Sequence, residues 1–401
     1  MNEERLVFEI AKQENRANPY PLYAQARQVG ICRQHDGAYV VSRYREVSAL
    51  LHDPRVSSDP RNLADPQPPP PAFPFIMQDA PNHDRLRRIA MNQFGPPDHA
   101  GLVASKESDI AERMNALLAA LDGRTEIDVV DDLAYPLPVA VICDLLGVPP
   151  EDEPKFKEIA DALVRTVGSA DQEGADELAE VKVQKTQELG LYLFDLVARH
   201  RKEPSDNLLS RLANETSADR MEDMDVVATG VLMLVAGHET TVNLISNGTL
   251  LMLRRPDLRE RLRSEPEISL RFVEELLRFE PPVQYIPNRV AAAPIEIGGV
   301  TIPKGSRIIL LLAAASRDPD LFANPDQFDP DRPSIEHYGL GGGIHYCFGA
   351  PLARLEGQIA LTAIARALEN PKLLVDPPPY RPSPVLRGPI HLPVSIDGVS
   401  I

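Results

Sequence analysis

The sequence predicts a mainly α-helical fold with small β-sheets, formed as a single domain over residues 1–401. Apolar residues recur with helical spacing through most of the chain up to about residue 280, which is typical of amphipathic helices. Strand-like alternation is confined to short segments, chiefly 31–41 and 295–312. The sequence contains no internal repeat and no flexible linker, so the helices and strands are expected to share one fold.

The chain begins with long helical segments that alternate with short strand-like ones. Helical periodicity predicts helices at 19–28, 43–51, 98–121, 137–146, 152–167, 171–202, 222–253 and 256–279. Alternation predicts a hairpin over 31–41 around Asp36-Gly37, a short strand at 127–130, a strand pair at 295–302 and a strand at 306–312. The prolines at 68–71 exclude helix or inner strand from the loop at 57–75. The middle of helix 222–253 is apolar on every face, so this helix must run through the interior.

Composition and charge restrict the function classes. The formal net charge of −17 argues against a nucleic-acid partner, because phosphate binding needs clustered Lys and Arg. The first residues are charged, and the longest apolar stretch, Val226–Ala236, is too short to cross a bilayer. We therefore expect a cytoplasmic protein without a membrane anchor. The three cysteines form no CxxC pair, which excludes zinc, c-type haem and iron–sulfur motifs.

A glycine-rich segment surrounds one of these cysteines. Residues 340–349 read LGGGIHYCFG, and Pro351 follows where a helix is expected to begin. Consecutive glycines permit positive φ angles and the close approach of a flat ligand. A helix N-terminus favours a thiolate and should lower the pKa of Cys347. The segment is suited to hold a deprotonated sulfur against a planar group; the alternative is a small buried apolar side chain.

Three further groups of polar residues stand out. Glu275 and Arg278 lie three positions apart among apolar neighbours, so they form either a buried ion pair or an ordinary solvated one. The segment AGHETT at 236–241 interrupts the apolar helix, although its threonine could simply bond to the carbonyl four residues earlier. His83 and Arg87 share one helix face, which is also typical of a basic, solvated surface.

In their order along the chain, these motifs resemble those of the cytochromes P-450 of the soluble bacterial class. The segment around Cys347 is similar to the family's haem-binding loop, in which the cysteine thiolate is the axial ligand of the iron of haem b. The family usually has Phe where Leu340 stands. Glu275 and Arg278 match the ExxR motif, which implies a structural contact with Arg332. The resemblance implies a triangular-prism fold, with the haem between the long central helix and the Cys-loop helix.

The resemblance also implies roles for individual residues. Glu239 would relay protons from solvent, Thr240 would hold bound dioxygen by hydrogen bonds, and Gly237 would leave space over the iron. The haem propionates would be held by His83, Arg87, Arg289 and His345. Substrate contacts are expected at Phe75, Met77, Leu232, Val235, Ala236, Ile286 and Leu386, which are apolar.

The function implied by the resemblance is that of a haem-thiolate monooxygenase. It would insert one oxygen atom from O2 into a lipophilic small molecule, with hydroxylation in secondary metabolism as the first expectation and epoxidation or C–C bond formation as alternatives. Electrons would come from NAD(P)H through a separate ferredoxin reductase and ferredoxin. We expect a monomer on which the ferredoxin docks at Arg85, Arg88 and Arg354. A peroxide-driven haem oxidase, or a non-catalytic P-450-like binding or recruitment protein, would be expected to lack the pair Glu239 and Thr240.

Overall fold

The computed structural model describes residues 5–66, 68–69, 72–95, 101–164, 166 and 175–400. This part of the chain is mainly helical, as the sequence predicts. The α-helices are α1 Leu6–Ala11, α2 Tyr20–Val29, α3 Tyr44–Leu51, α4 Asn82–Phe94, α5 Glu107–Ala119, α6 Pro136–Leu146, α7 Glu153–Val164, α8 Ala175–Lys202, α9 Leu208–Ala213, α10 Asp223–Arg254, α11 Pro256–Ser264, α12 Ser269–Phe279, α13 Leu312–Ala315 and α14 Ala350–Ala367. Short 3-10 turns, among them Phe75–Met77 and Gly343–His345, and a π-helical turn at Val130–Ala134 connect them.

Small β-sheets lie beside the helices. The strands are β1 Ile31–Arg33, β2 Tyr39–Val41, β3 Val56–Ser57, β4 Glu126–Asp128, β5 Ile286–Ala291, β6 Ile295–Ile297, β7 Val300–Ile302, β8 Arg307–Leu310, β9 Leu368–Glu369, β10 Lys372–Leu373, β11 Pro393–Ser395 and β12 Gly398–Val399. A five-stranded sheet has the order β1–β2–β8–β5–β3, and its β2 and β8 pair in parallel with Val40 opposite Ile309. Both predicted hairpins are present: Cys32 pairs with Val40 in one, and Glu296 with Thr301 in the other.

Helix α10 is the central element of the fold. Its 32 residues span about 48 Å at a rise of 1.5 Å per residue. It packs against α6, α8 and α14, and most of its middle is buried, as expected for a helix that is apolar on every face. Within the described ranges, no helix is both long and apolar enough to cross a membrane.

A glycine brings α10 close to the two helices that carry the sequence motifs. A Cβ on Gly248 would lie 2.7 Å from Cδ2 of Leu361 in α14 and 2.8 Å from Cδ2 of Leu276 in α12. Both distances are too short for a real Cβ, so a larger residue would force these leucine side chains to shift. Close packing at this point sets the distance between α10 and the segment that contains Cys347, because that segment leads directly into α14.

Several boundaries differ from the sequence prediction. The helix expected at 256–279 is divided into α11 and α12, because Pro266 lacks an N–H for a continuous helix and starts a 3-10 turn. The strand expected to reach residue 312 ends at Leu310, since α13 begins at Leu312. Helix α5 begins at Glu107 and not at 98. Residues 98–100, 165, 167 and 171–174 of the predicted helices lie outside the described residues.

Candidate active site

An internal cavity of about 310 Å³ lies between α10 and the segment that leads into α14. A cavity with a mainly apolar wall and a few polar groups is typical of small-molecule sites. A separate crevice of about 490 Å³, around Asp59 and Met224, contains none of the predicted site residues. The apolar wall of the internal cavity includes Phe75, Ile76, Ile142, Leu232, Met233, Ala236, Leu244, Val283, Ile286 and Val385. The polar groups that reach it include Arg87, Thr240, Arg289, His345 and Cys347.

The glycine-rich loop shapes the wall beside Cys347. Gly341 and Gly343 have φ angles of 69° and 62°, as predicted for this run of glycines. A Cβ on Gly343 would lie 2.0 Å from the carbonyl oxygen of Leu51, so only glycine fits there. The Cys347 N–H donates to the carbonyl of Leu340 at 2.8 Å. Helix α14 follows with a proline in its first turn, so the sulfur precedes a helix N-terminus as expected.

The environment of the Cys347 thiol differs from the sequence expectation. Burial raises the pKa of this thiol above its ordinary value, whereas the Gly349 N–H and the charges of Arg87 and Arg354 lower it by less. The protein groups around Cys347 therefore raise its pKa on balance, whereas the sequence led us to expect a lower one. A metal ion coordinated by the sulfur would favour the thiolate.

Two histidines beside this loop have ring nitrogens without partners. The rings of His83 and His345 have centroids 4.5 Å apart. Nδ1 of His83 is bonded to Asp84 at 2.7 Å, and Nε2 of His345 to the hydroxyl of Ser58 at 2.8 Å. The other nitrogens, Nε2 of His83 and Nδ1 of His345, are buried and have no hydrogen-bond partner among the described residues. Because buried polar atoms normally have partners, these two nitrogens indicate a polar ligand.

Two arginines add positive charge to the same place. The guanidinium of Arg87 donates to the carbonyl of Tyr346 at 2.7 Å, and burial lowers its pKa. Burial also lowers the pKa of Arg289 to about 10. Burial, and then the charges of Arg289, His83 and Arg87, lower the pKa of His345 to about 3. The cluster therefore has an excess of positive charge, which a ligand with two carboxylates would offset.

Thr240 of α10 faces the cavity. Its hydroxyl donates to the carbonyl of Ala236 at 2.7 Å, which is the structural alternative that the sequence left open. The lone pairs of the hydroxyl oxygen can still accept a hydrogen bond from a ligand. Gly237 also lines the cavity, as its expected role requires. A Cβ there would lie 2.7 Å from Cδ1 of Ile142 in α6, so the glycine permits close packing of the two helices as well.

Glu239 does not line the cavity, although it is the neighbour of Thr240. Its Oε1 atom lies 2.5 Å from Nε of Arg381 and accepts a hydrogen bond from the amide of Asn243 at 3.3 Å. Burial raises the pKa of Glu239 to about 7, against the opposing charge of Arg381. Sequence reasoning missed Arg381, which belongs to the proline-rich tail. The available signal was indirect: a buried acid needs a cation nearby, but nothing in the spacing indicates which one.

The predicted contact of Glu275 with two arginines is present and buried. Arg278 donates from Nε and Nη2 to the two carboxylate oxygens at 2.7 Å each, and Arg332 donates from Nε to Oε1 at 3.0 Å. The side chains of Glu275 and Arg278 are 0% exposed, so the solvated alternative is wrong. The remaining guanidinium donors bond to backbone carbonyls between residues 316 and 327. This network fixes the irregular segment that precedes the Cys loop.

Comparison with known proteins identifies the family. The sequence matches the family model described as Cytochrome P450 over residues 29–386. It is 38% identical to a vitamin D(3) 25-hydroxylase of Pseudonocardia autotrophica, over 94% of each chain. It is 36% identical to the 6-deoxyerythronolide B hydroxylase of Saccharopolyspora erythraea, over 94% of this chain and 96% of that one. The ligand-free crystal structure of CYP164A2 of Mycobacterium smegmatis matches with a TM-score of 0.89 at 37% identity, over 98% of this chain and 100% of that one.

The chain belongs to the cytochrome P450 family. Its fold is the cytochrome P450 fold, as the sequence predicts, and it is an enzyme of the P450 monooxygenase class with haem as cofactor. In this family a cysteine ligates the haem iron. The described site fits that cofactor, because Cys347 shares a cavity with Arg87, Arg289 and His345. His83 does not line the cavity, but its ring packs against that of His345, and both rings have an unpartnered nitrogen suited to a carboxylate.

The substrate contacts expected in this P450 divide into two groups. Those that line the cavity are Phe75, Leu232, Ala236 and Ile286. Those that do not line it are Met77, Val235 and Leu386; their neighbours Ile76, Met233 and Val385 do. Residue 235 is displaced by about 100° around the helix from residue 236, and successive residues of an extended segment point to opposite sides. Leu386 accordingly packs into a second core with Tyr23 and Tyr285.

The arginines expected to dock a ferredoxin on this P450 are each paired with an acid. Arg85 and Arg88 lie 3.3 and 2.9 Å from carboxylates of the segment 219–225, and Arg354 lies 2.5 Å from Glu274. Such pairs neutralise the positive charge that the sequence interpretation assigned to this surface. A free basic patch at these three residues is therefore not present.

Proposed function

We propose that Cys347 is the thiolate ligand of the haem iron and that His83, Arg87, Arg289 and His345 hold the propionates. The observation that carries this proposal is the pair of buried ring nitrogens that lack partners among the described residues, within a positively charged cluster beside the sulfur. Charge-assisted hydrogen bonds to two carboxylates would satisfy both the nitrogens and the charge. When bound, haem with a thiolate ligand supplies the activation of O2 and the transfer of one oxygen atom.

The chain's own residues orient the substrate and control water and protons. The apolar side chains of Leu232, Ala236 and Ile286 exclude water from the cavity and leave an apolar substrate as the preferred occupant. The hydroxyl of Thr240, fixed by the carbonyl four residues earlier, presents an oxygen to the cavity. Glu239 can bind and release a proton near neutral pH, since burial raises its pKa to about 7. We assign Glu239 to relaying protons from solvent and Thr240 to holding dioxygen and water at the cavity by hydrogen bonds.

The proposed reaction is the hydroxylation of a lipophilic small molecule in secondary metabolism. The apolar wall of the cavity supports this substrate class. Two relatives are named as hydroxylases, one of vitamin D(3) and one of 6-deoxyerythronolide B. Electrons come from NAD(P)H through a separate ferredoxin reductase and ferredoxin. The protein acts as a single-domain monomer in the cytoplasm.

Carbon monoxide binding to the reduced protein tests the iron ligand. A thiolate ligand gives a long-wavelength Soret band in this complex, and Cys347→His should abolish the band while some haem is retained. Cys32→Ser is the matched control, because neither that cysteine of β1 nor its neighbours in sequence line the cavity. An unchanged band in Cys347→His, or its loss in the control alone, would refute the assignment.

Ligand screening and product analysis test the reaction. Steroids, macrolides, terpenoids and fatty acids are titrated into the purified protein, and a type I spectral shift identifies those that enter the cavity. We expect the ligand that binds to be hydroxylated with O2, NAD(P)H, ferredoxin and reductase. Equal turnover with hydrogen peroxide alone would instead favour a peroxide-driven oxidase, and binding without any product would favour a recruitment protein.

A further inference from the structure

A cluster of polar side chains surrounds Glu239 on the part of α10 that does not face the cavity. Arg381, besides its contact with Glu239, donates from Nε to Oδ1 of Asn243 at 3.2 Å, one helical turn further on. Tyr135, directly after the π-helical turn, donates its hydroxyl to Asp161 of α7 at 2.5 Å. The charges of Arg381 and Asp161 both act on the carboxyl of Glu239. The tail contacts this buried acid directly through Arg381, and the π-helical turn and α7 pack on the same helix.

His238 adds an unfilled acceptor to this cluster. It is fully buried, and its Nδ1 lies 2.8 Å from the carbonyl of Leu234, so Nδ1 carries the proton and Nε2 is left as an acceptor. Nε2 has no partner among the described residues, and the ring lies 6.1 Å from that of Tyr135. The charge of Asp161 also acts on His238. A buried acceptor in a polar cluster is where an ordered water normally binds.

We propose that Arg381 is the positioning residue of Glu239: its ion pair holds the carboxylate on the side of α10 away from the substrate cavity, so that Glu239 takes up protons from the polar cluster there and not from the cavity. This inference rests on the proposed function of Glu239 as a proton relay. In each cycle a proton from solvent passes through water to the Glu239 carboxylate, the resulting acid gives a proton to the Thr240 side, and the carboxylate is restored. No electron transfer is involved.

Uptake from this side has a physical reason. A cavity with an apolar wall that is filled by substrate holds too little water to conduct protons, whereas the cluster around His238 is polar and reaches the half-buried Asp161. Burial raises the pKa of Glu239 most, and two opposing charges then adjust it, because Arg381 favours the carboxylate and Asp161 favours the acid. The other groups that face it are uncharged at neutral pH: burial lowers the pKa of His238 and raises that of Tyr135, and Asn243 does not titrate.

Infrared difference spectroscopy on the haem-loaded protein tests the positioning. The carbonyl stretch of the protonated Glu239 carboxyl is followed against pH and assigned by its loss in Glu239→Gln. We expect Arg381→Met to raise the titration midpoint by about one to three pH units, the effect of losing an opposite charge in contact. Asp161→Asn should lower the midpoint, and Arg381→Lys should restore most of the wild-type value. Arg254→Met, which removes another ion pair between α10 and the tail at Asp376, should leave it unchanged.

Hydrogen–deuterium exchange of the same carboxyl tests the side of uptake. Transfer into deuterated buffer shifts the band, and the exchange rate is compared with and without econazole, a bulky azole used here as a probe that fills the cavity. We expect the same rate in both states and a several-fold slower rate in Asp161→Asn. Exchange that econazole slows and Asp161→Asn leaves unchanged would overturn the proposal, because protons would then enter through the cavity.

The other outcomes of these experiments also support or refute the proposal. The positioning role is refuted if the titration midpoint of Glu239 moves in the same direction in Arg381→Met and Asp161→Asn, or moves in neither variant. If Arg381→Met loses the thiolate–carbon monoxide band, the comparison of Arg381→Lys with Asp161→Asn still applies, since both retain the fold's buried cation. Failure of the underlying function gives a different result. If NAD(P)H consumption stays coupled to product in Glu239→Gln, Glu239 is not a proton relay. If Glu239→Gln uncouples the two but substitutions of Arg381 do not move the titration midpoint, only the positioning role of Arg381 is refuted.

Discussion

Removing the charge of Glu275 should destabilise the protein strongly. Its fully buried carboxylate accepts three guanidinium N–H bonds from Arg278 and Arg332 and a fourth bond from the Asp329 N–H at 2.9 Å. In Glu275→Gln, one oxygen becomes an NH2 donor that faces other donors, and two buried guanidinium groups lose their counter-ion. Breaking a buried ion pair by removing one partner costs about 3–5 kcal/mol. We expect the free energy of unfolding to fall by that amount.

A matched control lies in the preceding helix. Glu260 and Arg263 have the same spacing of three residues, but their side chains are 59% and 51% exposed. Exposed pairs contribute about 0–1 kcal/mol, so Glu260→Gln should cost no more than this. Guanidinium titration followed by far-ultraviolet circular dichroism measures both variants. Equal losses for the two variants would refute the reasoning, because burial would then have no influence on the cost.

The effect should extend to the cofactor. The network holds carbonyls between residues 316 and 327, and the chain then continues into the loop that contains Cys347. A loop released at this point no longer holds the sulfur in a single position. We therefore expect Glu275→Gln to lose haem at a denaturant concentration below the midpoint for helix loss, while in Glu260→Gln the two transitions coincide as in the wild type.

Three further predictions concern single side chains. Glu356 is fully buried without a partner among the described residues, and burial raises its pKa from 4.5 to about 8. Between these two pH values the folded state keeps a proton that the unfolded state has released. The free energy of unfolding should therefore fall by about 4 kcal/mol as pH rises from 4.5 to 8. Glu356→Gln should flatten this part of the curve in urea titrations, and an unchanged slope would contradict the assignment. Thr240→Ala should uncouple NAD(P)H consumption from product with little change in substrate affinity; coupling that stays at the wild-type level would exclude a proton role. Arg289→Met should speed haem transfer to apomyoglobin by about 10- to 100-fold, because one charge-assisted hydrogen bond to a propionate is lost. A transfer rate equal to that of the wild type would show that Arg289 does not bind a propionate.

The sequence predicted the parts of the site that are local or that follow a motif. The glycines at 341 and 343 have the expected positive φ, and Glu275 meets both arginines, because the contact repeats a pattern that the fold requires. Arg381 was not predictable, since it lies 142 positions from Glu239 and reaches it only through the tertiary path of the tail. Among the chain's own groups, burial raises the pKa of Cys347 by more than the helix N-terminus lowers it, and the sequence does not reveal that burial.

Three of the seven expected substrate positions do not line the cavity. Three expected contacts were displaced by one or two residues from a neighbour that does line the cavity, as Val385 does beside Leu386. Apolar composition identifies such a segment, but both faces of a buried element are apolar, so composition cannot tell the cavity face from the core face. That decision depends on rotation about the element axis, which is set by packing elsewhere in the protein.

One turn of α10 separates two environments. Ala236, Gly237 and Thr240 line an apolar cavity, whereas His238 and Glu239 point into a cluster with Arg381 and Asp161. With about 3.6 residues per turn, positions 236 and 240 share one face and positions 238 and 239 do not. Because an acid exposed to the cavity would admit water beside the substrate, the adjacent placement of Glu239 and Thr240 keeps the proton source within reach of the reaction and outside the space where the substrate binds.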